Sequence, residues 1–277
     1  VYKRQVDITS VLKKLNISYD KINVLRQGEN SDTFLITTSK KKLIAKKFKN
    51  LNFQTITNTY LNKKILNQLV DKKLFPKVVY QSEEKDFLIY EYVESIKSNK
   101  DKFFYNNLGM KIREIHEIKP CKNNLTFEQQ LNFYKMSLGK VNKEKVYTRI
   151  EDLLNDINIK KSKLVFSHND LNANNILFNK DICIIDYEYS SLNNKFCDLS
   201  KVIFEFQMTE EEIESLLKGY RINFDDVAKK KIIFWQRFNL YLDYIWSIII
   251  SSNENQLTKE NIESFYLNKY KNFDLKN

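Results

Sequence analysis

Apolar positions change their period twice along this chain. Between residues 22 and 48 they alternate through three short runs, "KINVLRQ", "TFLITT" and "KLIAKKF", as half-buried strands do. Gly28 and the polar "ENSD" between the first two runs mark a turn. From Thr55 to Lys72 the spacing becomes helical, with Ile56, Tyr60, Leu61, Ile65 and Leu69 repeating, and Pro76 closes the region. "KVVYQ" and "DFLIYEYV" then read as a two-stranded hairpin. Past Glu94 the helical period dominates. "FFYNNLGMKIREIHEI" repeats Leu108, Ile112 and Ile115, and further helices are expected near 126–138, 144–157, 209–219, 225–251 and 258–272. A hairpin over 164–186 interrupts them.

This order predicts an α+β fold of two lobes. Residues 1–93 would form a small, mostly antiparallel sheet with one inserted helix, and residues 94–277 a larger, mostly helical lobe, with a hinge near "EYVES". A length of 277 residues allows two sizeable cores, and 42% hydrophobic residues fit a globular chain. The net charge of +11 first points to nucleic acid. Lysine is spread along the whole chain, however, as in "TTSKKKLIAKKFKN" and "DDVAKKKIIFW", which predicts a basic surface suited to an anionic nucleotide and no nucleic-acid partner. Cys121, Cys183 and Cys197 lie far apart without a C-x-x-C pair, so neither a zinc ribbon nor a disulfide framework is indicated. The most apolar stretch, "YIWSIII", is far too short to span a bilayer, and the first thirty residues carry charges throughout. The expectation is a soluble, cytoplasmic protein without a membrane span.

The chemistry concentrates in "FSHNDLNANNILFNKDICIIDYEYSSLNNKFCDLS", Phe166 to Ser200. His168, Asn169, Asp170 and Leu171, followed by Asn175, fit the catalytic loop H-x-D-L-x-x-x-N of phosphoryl transfer. Such a reaction needs a group to take the acceptor's proton and cations on the phosphates. Asp170 fits the first need. Asn175, with Asp186 at the end of "ICIID", supplies the hard oxygen ligands that Mg²⁺ prefers. His168 is expected to orient the loop, and His116 to be a structural histidine on an apolar helical face. After Asp186 the chain runs almost directly into a helix, without the long activation segment ending in A-P-E, which leaves little to dock a peptide and favours a small-molecule acceptor.

The stretch "HNDLNANNIL…IIDYEYSSLNNKFCDLS" resembles the choline/ethanolamine kinases, within the wider aminoglycoside-phosphotransferase and protein-kinase-like superfamily. Their signature is H-N-D-x-x-x-x-N-I-L, a strand, D-[FY]-E-Y-[SA] and a further Asp, here matched by Asp198. Weaker similarity reaches "FPKVVY", "FLIYEYVES", "LGMKIREIHEI" and "YLDYIWSII". The resemblance implies an ATP and Mg²⁺-dependent phosphotransferase, with adenine at a hinge formed by Tyr90, Glu91 and Tyr92, and a phosphate-contacting cation on the third strand. "LIAKKF" offers Lys46 and Lys47; matching V-A-I-K favours Lys46, and strand alternation lets only one face the nucleotide. The phosphate-covering loop would be "RQGENSDTF", with Gly28, Asn30 and Ser31, although it has a single Gly. A second departure is that the helix from Thr55 to Leu69 has no acidic partner for the strand lysine, leaving Asn58, Asn62, water or a group elsewhere to serve.

The resemblance further implies an acceptor cage for a cationic alcohol, choline or ethanolamine, from aromatic faces and carboxylates. The "EYS" signature supplies Glu188 and Tyr189, the tail supplies Tyr241, Tyr244, Trp246 and Tyr266, and Glu205 and Asp243 add charge. "YIWSII" matches a W-S-I segment of the cage at Trp246, while Asp243 stands where another Trp is expected. Trp235, Phe265 and Tyr270 are further aromatic candidates, and packing of the helical lobe is the competing role for all of these rings. The alternatives are a kinase for an aminoglycoside or another alcohol such as thiamine, and a nucleotide-binding pseudokinase, against which the intact Asp170, Asn175 and Asp186 set argues.

Overall fold

Three strands, Lys21–Gln27 (β1), Ser31–Thr37 (β2) and Lys42–Phe48 (β3), pair antiparallel in sequence order. Val78–Gln81 (β4) and Phe87–Glu91 (β5) complete a five-stranded sheet of order β1-β2-β3-β5-β4, because β5 inserts beside β3. The computed structural model describes residues 8–28, 31–49, 61–96, 100–121, 124–155 and 163–274.

The alternation of side chains gives this sheet two buried faces. Leu43, Ala45, Phe87 and Ile89 point one way and pack with Ile8, Val11 and Leu12 of a short helix, Ile8–Lys14 (α1). That helix adds to the single one expected, and its seven residues are too few for a periodic signal to show. Ile44, Phe48, Leu88 and Tyr90 point the other way, into the core that continues through the rest of the molecule. The helix expected over 55–72 is seen as Lys63–Asp71 (α2), with Asn62 as its N-cap accepting from the Lys64 N–H, and the earlier part of that expectation lies outside the described residues.

The larger lobe is helical: Lys102–His116 (α3), Phe127–Lys140 (α4), Thr148–Asn155 (α5), Lys195–Glu205 (α6), Glu210–Tyr220 (α7), Asp226–Ile250 (α8) and Gln256–Asp274 (α9). Oxygen-bearing side chains cap several of their first turns: Asp101 for α3, Asn194 for α6, Asp225 for α8, and capping boxes at Thr126 and Thr209 for α4 and α7. α3 and α7 meet at two glycines. A Cβ on Gly109 would lie 2.0 Å from the Leu216 carbonyl oxygen, and one on Gly219 would lie 1.9 Å from that of Asn106. Among the described residues no helix is long and apolar enough to cross a membrane.

Four short strands lie between α5 and α6 and divide differently from the single hairpin expected. Ile176–Asn179 (β7) and Asp181–Ile184 (β8) form the tight hairpin, turning at Lys180 with φ 62°. Leu164–Ser167 (β6) pairs instead with Ser191–Asn194 (β9), because residues 168–175 swing out as a loop between β6 and β7. The two ribbons thus hold that loop and the segment after β8 side by side.

Candidate active site

Lys46 sits on the face of β3 that looks toward the larger lobe, together with Ile44 and Phe48, and it lines the cleft between the lobes. Lys47 falls on the opposite face with Leu43 and Ala45 and does not line the cleft. Lys46 is 5% exposed, and its ammonium is held by two carboxylates, Asp186 and, at 2.6 Å, Glu188 Oε1. Glu188 also accepts from Ser31 Oγ at 2.9 Å, so it ties β2 and β3 to the turn after β8. The acidic partner missing from the helix before Pro76 is therefore supplied by Glu188. Asn62 is occupied as the α2 cap and as acceptor from the Cys121 thiol, and Asn58 lies outside the described residues. At the tip of the β1–β2 turn, the Gly28 carbonyl accepts from Lys49 Nζ at 2.7 Å; Asn30 lies outside the described residues.

The loop between β6 and β7 presents Asp170. Its backbone N–H donates to His168 Nδ1 at 3.2 Å, and His168 Nε2 lies 2.9 Å from the Ile185 carbonyl. A carbonyl only accepts, so Nε2 carries the proton and the ring is a neutral spacer between two backbone segments. The Asn175 amide nitrogen donates to the Asp170 carbonyl at 2.9 Å and to its carboxylate at 3.2 Å, which leaves the amide oxygen for a cation. Asn172 donates to both Asp170 carboxylate oxygens. Burial pushes the Asp170 carboxyl above the usual range, against the opposing pull of Lys201 and with help from Asp243. Asp186 behaves oppositely: burial would raise it, but Lys46 outweighs burial and holds it below the usual range. Asn169 and Asp186 both adopt left-handed backbone, at φ 65° and 67°, which Asn and Asp tolerate better than other side chains.

Asp198, fully buried at the first turns of α6, fastens the loop. Its carboxylate accepts from the backbone N–H groups of His168 and Asn169, both at 2.7 Å, and meets His116 Nε2 at 2.9 Å. His116 in turn meets the Tyr220 hydroxyl at 2.7 Å. A chain from α7 through α3 and α6 thus fixes the two residues preceding Asp170. Burial raises the Asp198 pKa, but His116 and the donated bonds prevail and hold the carboxyl low.

Beyond Asp170 the cleft, about 420 Å³ in volume, is walled by helical faces. α6 contributes Lys201 and Glu205, α8 contributes Asp243 and Trp246, α9 contributes Tyr266 and Lys269, and α4 contributes Tyr134. Trp246 donates its indole N–H to the Tyr189 hydroxyl at 3.2 Å. The Tyr189 carbonyl accepts from Gln130 and Asn169, which couples this wall to the Asp170 loop. Lys201 Nζ lies 2.7 Å from Asp243 Oδ2, and Lys269 Nζ lies 3.5 Å from Glu205 Oε1.

Matching by sequence decides the class. The family model described as choline/ethanolamine kinase matches residues 47–267, most of the chain. This chain belongs to the choline/ethanolamine kinase family. A probable ethanolamine kinase from Nematostella vectensis is 36% identical over 84 residues, covering 26% of this chain and 24% of that protein. A protein from Metamycoplasma hominis is 32% identical over 111 residues, 39% of this chain and 21% of its own length. The matched segments thus span less than a quarter of the length of these curated relatives. Among solved structures, the choline kinase LicA from Streptococcus pneumoniae superposes with TM-score 0.76 at 19% identity, covering 96% of this chain and 97% of that one. A spectinomycin phosphotransferase in complex with ADP and spectinomycin superposes with TM-score 0.67 at 16% identity, over 94% of each chain. At these identities the structures show the shared two-lobed kinase fold.

Against the residue expectations, this family member brings Gly28, Ser31, Lys46, Asp170, Asn175, Asp186, Glu188, Tyr189, Glu205, Asp243, Trp246 and Tyr266 to one cleft. Others lie apart from it. Tyr241 is buried, donates to the Val146 carbonyl and packs on Tyr270, and Tyr244 packs beside it, so both serve the α8–α9 core. Trp235 packs on Phe127 and Phe238. At the hinge the Tyr90 ring is buried against Phe75, Glu91 pairs with Lys41, and the Lys42 ammonium stands over the Tyr92 ring. The Glu91 and Tyr92 N–H groups already donate to the carbonyls of Lys77 and Lys42, so adenine recognition by these two donors does not fit. Sequence reasoning missed Arg26, Tyr134, Lys201 and Lys269 as cleft residues. Lys201 had a signal: Asp198, Lys201 and Glu205 put three charges at helical spacing in an otherwise apolar segment.

Proposed function

We propose that this protein transfers the γ-phosphoryl group of ATP to the hydroxyl of a small cationic alcohol, choline or ethanolamine. The supporting observation is the joining, in one cleft, of a cation–carboxylate end (Lys46, Asp186, Asn175, Asp170) to an aromatic end (Tyr189, Trp246, Tyr266). Asp170 lies where the two meet. The nucleotide belongs at the first end, in keeping with the ADP held by the spectinomycin phosphotransferase of the same fold.

In this reading the acceptor hydroxyl is aligned by Asp170, whose carboxylate takes the proton as the oxygen attacks phosphorus. Its raised pKa makes it a better base than an exposed aspartate. Lys46 is steadied by Glu188, which leaves an ammonium aimed at the phosphates. Among the described residues no cluster of three or more His, Cys, Asp or Glu stands ready to cage a metal. Magnesium suits such a sparse site, since it takes one or two protein oxygens with phosphates and water. Asp186 and the Asn175 amide oxygen would hold it, and it would supply charge neutralisation on the phosphates. The aromatic end would take the acceptor's cation by ring faces and nearby carboxylates.

An aminoglycoside acceptor is the competing reading, favoured by the acidic Glu205 and Asp243. Each of these is paired with a lysine, which weakens the attraction for a polycation. Steady-state rates with ATP, Mg²⁺ and a panel of choline, ethanolamine, thiamine, kanamycin and spectinomycin test the proposal. Turnover confined to the first two supports it; turnover of the others with neither of the first two overturns it.

A further inference from the structure

The Lys201–Asp243 pair acts on the Asp170 carboxyl through its charges, and it also lines the acceptor end of the cleft. Lys201 is 9% exposed, so its ammonium is a resident cation inside the site. It stands among three carboxylates, those of Asp243, Asp170 and Glu205, all of which act on it electrostatically. With Lys269 on Glu205, the five charged groups sum to one net negative charge, which matches a monocationic acceptor.

The pairing also decides what kind of cation is accommodated. Asp243 gives Oδ2 to Lys201, and Glu205 gives Oε1 to Lys269, so each carboxylate keeps a second oxygen with accepting capacity. A primary ammonium brings three N–H donors and can bond to those oxygens without breaking either pair. A quaternary ammonium has no donor. It would crowd Lys201 and could displace it only by exchanging a hydrogen-bonded charge pair for one without hydrogen bonds. The aromatic faces of Trp246, Tyr189 and Tyr266 serve both kinds of head group and do not discriminate so sharply.

The geometry points to Lys201 and Asp243 as the specificity-determining pair of the acceptor site, selecting an amino alcohol whose head group carries N–H donors over a quaternary ammonium alcohol. This rests on the phosphotransferase reading above and narrows its substrate class. A charge-assisted hydrogen bond lost corresponds to roughly a ten- to hundredfold change in specificity.

The test is kcat/KM for ethanolamine, its N-methyl and N,N-dimethyl derivatives, and choline, on the wild-type protein and on Lys201→Met/Asp243→Leu. The double change removes one charge of each sign and so preserves the net charge. Expected is a decline with each added methyl, with choline at least about tenfold below ethanolamine, and a ratio that shrinks by about tenfold or more in the variant. Should the double variant fail to fold, Asp243→Asn, which keeps the shape and loses the charge, must also shrink the ratio. Choline turned over as well as ethanolamine by wild type, or an unchanged ratio in a folded variant, overturns this inference and leaves the phosphotransferase reading standing. Failure of the wild type to phosphorylate any member of the series overturns both.

Discussion

Glu188 reaches Lys46 from the far side of the cleft, Oε1 to Nζ 2.6 Å, although the two residues are 142 positions apart. The pair replaces a contact that would otherwise come from the helix packed on the sheet. It means that Lys46, the cation proposed to face the phosphates, is oriented by the same turn that carries Asp186. Glu188→Ala removes one of the two carboxylates on the ammonium and shifts its hold toward Asp186, the proposed metal ligand. The expected result is a rise of about ten- to hundredfold in KM for ATP, the scale of a lost charge-assisted bond, with Glu188→Gln milder. Steady-state kinetics with varied ATP at saturating acceptor measures it; an unchanged KM contradicts the role.

Burial raises the Asp170 pKa, and a general base works only when ionised. The acid limb of kcat/KM therefore lies above the ordinary aspartate value of about 4, and activity falls as pH drops through it. Lys201→Met removes the principal charge lowering this pKa and frees Asp243, which raises it, so the limb moves to still higher pH. A pH–rate profile with the limb at the ordinary value in both proteins contradicts the assignment.

Trp246 and Tyr241 are both aromatic residues of α8, yet only Trp246 lines the cleft. Trp246→Ala should raise the acceptor KM by roughly two- to thirtyfold, the range of a cation over an indole face, with the ATP KM little changed. Tyr241→Phe loses its bond to the Val146 carbonyl and should cost about 1 kcal/mol of stability, with neither KM moved. Both KM values and thermal melts on the two variants separate the roles.

Asp198 joins three elements through the His116 and backbone contacts. Asp198→Asn breaks a fully buried charged network and should cost about 3–5 kcal/mol. Because its folded pKa is lowered, its contribution is fully present above the unfolded carboxylate pKa of about 4 and is lost as pH falls through the folded value. Wild-type melts recorded downward from pH 6 should therefore steepen in their loss below about pH 4, and the variant should show a weaker dependence.

Much of this was legible in the sequence because the decisive groups lie close together along the chain. His168, Asp170, Asn175 and Asp186 fall within one loop and one hairpin, where spacing dictates geometry. Period alone could not separate the rings of α8 and α9: Tyr241 and Trp246 share an apolar helix, and only the packing of α9 decides which one faces the cleft. The Lys46–Glu188 contact was invisible for the same reason, since it depends on how the two lobes meet. The β6–β9 pairing escaped because four-residue strands carry too little alternation to reveal their partners.

Phosphoryl transfer from ATP to an alcohol, with Asp170 as base, is the activity proposed for this cleft. ³¹P NMR of a reaction of wild type with ATP, Mg²⁺ and ethanolamine or choline tests it most directly, beside Asp170→Asn under the same conditions. Wild type should yield ADP and the phosphomonoester of the amino alcohol, and the folded variant a product rate at least about a hundredfold lower. Inorganic phosphate as the sole product besides ADP, or a variant within a few-fold of wild type, would contradict it.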